Sequence, residues 1–106
     1  MTAPLDILAI MAHPDDVELT CGGTLLASAA LGRRTGIADL TAGETGSRGT
    51  VTIREAEAQE AATILGVTVR ENLHLPDAHL CNTPEARDVV IRAIRRHRPR
   101  IVITHA

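Results

Sequence analysis

The chain has 106 residues, enough for one small domain and too few for a second hydrophobic core. Apolar residues make up 44% of it, but there is no Phe, Tyr or Trp, so the interior must pack from Leu, Ile, Val and Ala. A formal charge of −2 and the lack of aromatic stacking platforms argue against nucleic acid as a partner, and no apolar run is long enough to span a bilayer, which argues against a membrane.

Residues 5–12 form a continuous apolar run of strand length, followed at once by "HPDDVE". The pattern over 17–32 predicts a helix with Leu19, Gly22, Leu26 and Ala29 as its inward row. "GIADLT" (36–41) reads as a second strand, "GETGSRG" (43–49) as a glycine-rich loop, and 52–65 as a helix with Ala58, Ala61, Ala62 and Leu65 inward. "VRENLHL" (69–75) is the third strand and "PDAHLCN" (76–82) its loop. Over 84–97, Ala86, Val89, Val90, Ala93, Ile94 and His97 face inward while Arg87, Arg92, Arg95 and Arg96 cover the outside. Thr83 is placed to cap this helix and Pro84 to start it. "RIVITH" (100–105) closes the order βαβαβαβ. Such alternation predicts an α/β domain of the Rossmann-like three-layer kind, with a mostly parallel sheet and ligands bound outside the carboxyl ends of its strands. Four polar segments converge on that edge: "HPDD", the loop 43–49, the loop 76–82 and His105.

All eleven basic side chains are Arg; without a Lys there is no Schiff-base chemistry and no phosphate-pairing ammonium. Cys21 and Cys81 are too few for a disulfide framework, and no basic, apolar leader opens the chain, which suggests a reduced, cytoplasmic protein.

The densest chemistry is in "HPDDVE". One account is a capping box, with Asp15 as N-cap and Glu18 three residues later. It leaves His13 and the adjacent Asp15 and Asp16 unexplained, and two neighbouring carboxylates repel unless a cation lies near them. A metal bound by imidazole and carboxylate would relieve that repulsion, and spacing alone leaves both accounts standing. The loop 43–49 carries neither a dinucleotide fingerprint nor a phosphate-binding P-loop. Arg54 and Glu57 could form a surface ion pair, yet Arg54 is in register with Ala58, Ala61 and Leu65, so it should face inward near the strand ends. Asp77 in "PDAH" could be a plain turn former.

Taken together and in order, "AHPDDVELTCGGTL", "GETGSRGT", the pair Arg54 and Glu57, "ILGV", "NLHLPD" and "RPRIVITHA" resemble the PIG-L/LmbE-like de-N-acetylase family from Leu5 to Ala106. Within it they look most like the bacterial branch that deacetylates N-acetylglucosaminyl-malate on the route to bacillithiol. The resemblance implies a hydrolase that uses Zn2+, or another divalent metal, against the acetamide of a small amino-sugar conjugate. His13 and Asp16 match the family's first two zinc ligands and Asp15 its general base. Glu44, Arg54 and Asp77 match positions around the sugar. The family's third ligand and its oxyanion-stabilising histidine come from an "H-P-D-H" motif beyond the strand matching "RIVITHA". The chain is therefore expected to be the amino-terminal part of a longer enzyme, of a branch whose complete members tend to be homo-oligomers. His105 is not promoted to ligand, and His74 and His79 are read as ordinary polar residues. A phosphoacceptor receiver would also use an acidic pair and Asp77, but it needs a Lys. A catalytically inert interaction domain is the other alternative, and it would hold no zinc.

Overall fold

The computed structural model describes residues 3–44, 50–77 and 79–105. The elements are β1 (Ile7–Met11), α1 (Asp16–Ala30), β2 (Thr35–Asp39), α2 (Val51–Leu65), β3 (Val69–Asn72), α3 (Pro84–His97) and β4 (Ile101–Thr104). The expected alternation is therefore present. All strand pairs are parallel, and the spatial order is β3-β2-β1-β4. The chain steps outward from β1 to β3 and then crosses back to pair β4 with the other edge of β1, so the sheet's switch point lies between β1 and β4. In open sheets the crevice for a ligand opens at that point.

The apolar run of β1 reflects its position: all five residues are buried, with a strand on each edge. On one face Ile7, Ala9, Met11 and Ile37 pack with Val17 and Leu25 of α1 and with Leu65 of α2. On the other, Leu8, Ile10 and Ala38 pack with Val90 and Ile94 of α3. The sheet is thus the middle of three layers. Among the described residues no helix is long and apolar enough to cross a membrane.

Local chemistry fixes the element ends. Thr50 accepts a hydrogen bond from the Ile53 amide and Thr83 one from the Ala86 amide, capping α2 and α3, and Pro84 opens α3 as expected. The third strand stops at Asn72 rather than 75. The Asn72 side-chain amide donates to the Thr41 carbonyl and its Oδ1 accepts from the His74 N–H, turning the chain at His74 (φ 56°).

Helix α1 departs from expectation. Leu19 is 80% exposed and Leu26 is 49% exposed, while the buried residues are Val17, Gly22 and Leu25. Two causes combine. The heptad spacing of Leu19 and Leu26 imitates an inward seam, and Cys21 has non-helical angles (φ −141°, ψ 17°) that break the phase on which the row was counted. The inward rows of α2 and α3 hold, with Ala58, Ala62 and Ala93 buried and the four outer Arg residues exposed.

Gly36 in β2 marks a close approach. A Cβ there would lie 2.6 Å from Leu5 Cδ1 and 2.9 Å from Val69 Cγ1. Gly36→Ala should lower stability by about 1–3 kcal/mol through overpacking. Gly23→Ala, where a Cβ would meet nothing within 4 Å, should be neutral or gain up to about 1 kcal/mol of helix propensity. Parallel thermal melts of the two variants check the contrast.

Candidate metal and active site

The first polar side chain after β1, that of His13, meets Asp77 from the loop after β3, which in turn meets Glu44 from the loop after β2. The His13 backbone N–H donates to Asp16 Oδ2 at 3.0 Å, and this short loop holds the His13 ring between two carboxylates. Nε2 lies 2.7 Å from Asp77 Oδ1, and Nδ1 lies 3.5 Å from Asp16 Oδ2. Asp77 is 5% exposed, and its backbone N–H donates to Glu44 Oε2 at 3.0 Å. Glu44, Asp77, His13 and Asp16 thus form one connected series drawn from three loops. The Asp77 hydrogen bond is the main reason the His13 imidazole titrates above its ordinary value, with burial working against it and the Asp16 charge helping. The Asp77 N–H in turn holds the Glu44 carboxyl below its ordinary range.

This arrangement passes a test of chemical fit for a divalent ion. When His13 donates from Nε2 to Asp77, its Nδ1 lone pair faces a carboxylate oxygen at 3.5 Å, an arrangement that either a proton on Nδ1 or a metal ion between the two would relieve. Zn–N and Zn–O bonds of about 2.0–2.2 Å at tetrahedral angles put adjacent donor atoms roughly 3.3–3.5 Å apart. A carboxylate on the far imidazole nitrogen is the usual support of a metal-bound histidine. Among the described residues no cluster of three or more such donors occurs, and His13 with Asp16 is the pair that the sequence pattern singled out. His105 sits at the end of β4, where its Nε2 accepts the Ala12 N–H at 3.3 Å. His74 and His79 are exposed.

Asp15 occupies the N-cap position of α1, but its side chain makes no capping hydrogen bond. Glu18 does not reach back to complete a box; its carboxylate is taken by Arg70 instead. The capping account is therefore corrected. Asp15 is exposed and lines a cavity of about 370 Å3 together with Glu18, Ile53, Arg54, Glu57 and Ala58. Burial, aided by the charges of Asp16 and Glu18, pushes its carboxyl above the ordinary range. Arg54 is half-buried on the first turn of α2, as its register implied, and packs over Gly43, where a Cβ would lie 2.6 Å from Nη1. Gly43 (φ 66°) thus leaves room for the guanidinium. Residues 45–49 of the glycine-rich loop lie outside the described residues.

Sequence reasoning missed Arg70. Its side chain is 1% exposed; Nε and Nη2 bond the two Asp39 oxygens at 2.8 and 3.0 Å, and Nη1 donates to the Ala58 carbonyl. The available signal was a charged residue at a buried strand position beside an Asp on the neighbouring strand. Burial pushes the Asp39 carboxyl up, and the Arg70 hydrogen bonds oppose that rise.

Fold and site together define a doubly wound α/β protein with an imidazole–carboxylate cluster at the carboxyl ends of its strands. The chain belongs to the PIG-L family: the family model described as "PIG-L: GlcNAc-PI de-N-acetylase" matches residues 8–106. It is 53% identical to the conserved protein TT1542 from Thermus thermophilus (TM-score 0.88), covering 92% of this chain and 44% of that one. It is 41% identical over 76 residues to "Uncharacterized deacetylase YaiS" of Escherichia coli (strain K12), covering 70% of this chain and 40% of that protein. It is 28% identical to N,N'-diacetylchitobiose deacetylase from Pyrococcus horikoshii (TM-score 0.82), covering 91% and 39%. The 4-carboxy-2-hydroxymuconate hydratase GalB from a Pseudomonas strain shares the fold at 26% identity (TM-score 0.79), covering 93% and 46%. This chain thus spans less than half the length of these relatives.

Asp15 has φ 103°, in the left-handed half of backbone space that a residue with a side chain rarely adopts. Such strain costs on the order of 1 kcal/mol and gathers at functional sites. Asp15→Gly should therefore raise the melting temperature by about 4–8 °C, since the exposed side chain gives up little packing. A melting temperature unchanged or lowered in Asp15→Gly would mean the backbone there stores no strain.

Proposed function

We propose that this chain takes part in hydrolysing the acetamide of an acetamido sugar, with a divalent ion, zinc foremost, held by His13 Nδ1 and Asp16. The observation that carries the reading is the His13 ring, 3.5 Å from Asp16 at one nitrogen and 2.7 Å from Asp77 at the other, next to the cavity that Asp15 lines. The family match and the deacetylase relatives support the same chemistry. When bound, a divalent ion supplies Lewis acidity toward an amide carbonyl and toward water.

The remaining work falls to the chain's own side chains. Asp15, its carboxyl raised by burial and by neighbouring charges, takes a proton from the attacking water and returns it to the amine nitrogen as the C–N bond breaks, leaving acetate and a free amine. Asp77 fixes the ring orientation of His13 and Glu44 braces the Asp77 backbone, so we assign both to the support of the centre rather than to direct contact with sugar. Arg54, on the cavity wall, takes a polar group of the substrate. The narrower reading, N-acetylglucosaminyl-malate as substrate in a cytoplasmic bacillithiol route, rests on the motif resemblance. A second reading, addition of water without loss of acetate, is favoured by the likeness to GalB.

Acetate and primary amine released in equal amounts from N-acetylglucosaminyl-malate or N,N'-diacetylchitobiose support hydrolysis; addition of water across the C=C bond of 4-carboxy-2-hydroxymuconate, with no acetate from either acetamide, supports the second reading. Stripping with a chelator should abolish the activity and zinc should restore it. His13→Ala should lose both metal, by elemental analysis, and turnover. Asp15→Asn should keep the metal while kcat falls by about 10²–10⁴-fold; near-normal deacetylation in that variant would remove Asp15 as the base.

A further inference from the structure

Glu18 lies on the wall of the cavity that Asp15 lines, and both of its oxygens are spoken for from behind. Arg70 Nη2 donates to Oε1 at 3.2 Å, and Nη1 lies 3.2 Å from Oε2. With the bonds to Asp39 and to the Ala58 carbonyl, Arg70 makes four hydrogen bonds through its three nitrogens, and its ion-pair contact with Glu18 Oε2 adds to them. A planar guanidinium bonded through all three nitrogens cannot rotate without breaking several bonds, so it holds the Glu18 carboxylate in a fixed orientation. Asp39 alone would neutralise the Arg70 charge, and a buried ion pair is weak evidence for stability. The reach of Glu18 from α1 to β3 therefore needs another reason. The Glu18 side chain is 26% exposed, against 1% for Arg70 and 3% for Asp39, so the partly open member of the group is the one that faces the cavity.

We infer that Glu18 is a substrate-binding residue that accepts a hydrogen bond from a ring hydroxyl of the sugar, and that Arg70 is the positioning residue that fixes its carboxylate for this. Each Glu18 oxygen keeps a lone pair beyond its contact with Arg70. A carboxylate pinned in one orientation discriminates between a polyhydroxylated ring and an apolar one, because the latter would leave it desolvated and unpaired. The assignment rests on the amino-sugar reading and adds to it the group that recognises the ring rather than the acetamide. Glu57 and Arg54 line the same cavity, but no described contact fixes Glu57 as Arg70 fixes Glu18.

The test compares two acetamides, N-acetylglucosamine and the hydroxyl-free N-acetylcyclohexylamine, by chemical-shift titration of the zinc-loaded protein carrying Asp15→Asn to prevent turnover. Glu18→Ala should weaken the sugar about tenfold and leave N-acetylcyclohexylamine unchanged. Arg70→Lys, which keeps the charge and loses the fork, should show the same selective loss together with a lower melting temperature. Equal losses for both ligands, or none, in Glu18→Ala would overturn the assignment of Glu18. Unaltered sugar affinity in folded Arg70→Lys would overturn that of Arg70. A reference protein that binds N-acetylcyclohexylamine but not the sugar overturns both assignments and leaves amide recognition standing, whereas one that binds neither overturns the acetamido-sugar reading itself.

Discussion

β1 is buried at all five positions and paired on both edges, so the chain leaving it delivers its first polar groups into a confined space between β2 and β4. Carboxylates set that close together cannot all stay charged unless cations lie among them. The molecule meets this demand in two ways. Behind the cavity, Asp39 and Glu18 share a cation that belongs to the chain, Arg70, buried where water cannot compete. In front of it, Asp16 and Asp77 flank a ring that can hold either a proton or a metal, His13. The permanent cation shapes the wall, whereas the imidazole is the position whose positive partner can exchange. Losing either partner of the buried pair would strand a charge in a low-dielectric interior, so the two solutions differ in energetic character as well as in position.

The fold was legible because its periodicities are simple. A continuous apolar strand, an arginine-coated helix with a clean inward row and two Thr caps each carry a local signal that tertiary packing had no reason to override. Helix α1 was misread where two signals conflicted: Leu19 and Leu26 are apolar and seven apart, but the kink at Cys21 turns them to solvent. The site divides in the same manner. His13, Asp15 and Asp16 stand out because charge directly after a buried strand is costly and so demands a function. Arg70 was hidden inside a strand pattern, since its meaning depends on Asp39, 31 residues away, and Glu18, 52 residues away, pairings that only the register of β2 and β3 brings about.

Strain and space at the site point in one direction. Asp15 is held at a positive φ with no capping bond to compensate, and Gly43 gives up a side chain so that Arg54 can lie across it. Both choices sacrifice local stability, one on the cavity wall and one beneath Arg54, which lines it, whereas α2 and α3 each open on a threonine cap with its hydrogen bond made. A sequence selected for stability alone would reverse that distribution.

The balance of charge around the cavity also limits what can occupy it. Three of its lining residues, Asp15, Glu18 and Glu57, are acidic and one, Arg54, is basic. With Arg70 sunk behind the wall, that face repels anions and favours hydroxyl donors or an emerging ammonium. On the proposed hydrolysis, a neutral sugar ring would meet no penalty there, and the amine formed as an acetyl group leaves would gain from the nearby carboxylates. An anionic aglycone such as malate would have to pair with Arg54 or project out of the cavity altogether. Discrimination among conjugates would then be set at the Arg54 end, apart from the ring-reading carboxylate, so that ring recognition and aglycone choice could vary independently on one scaffold.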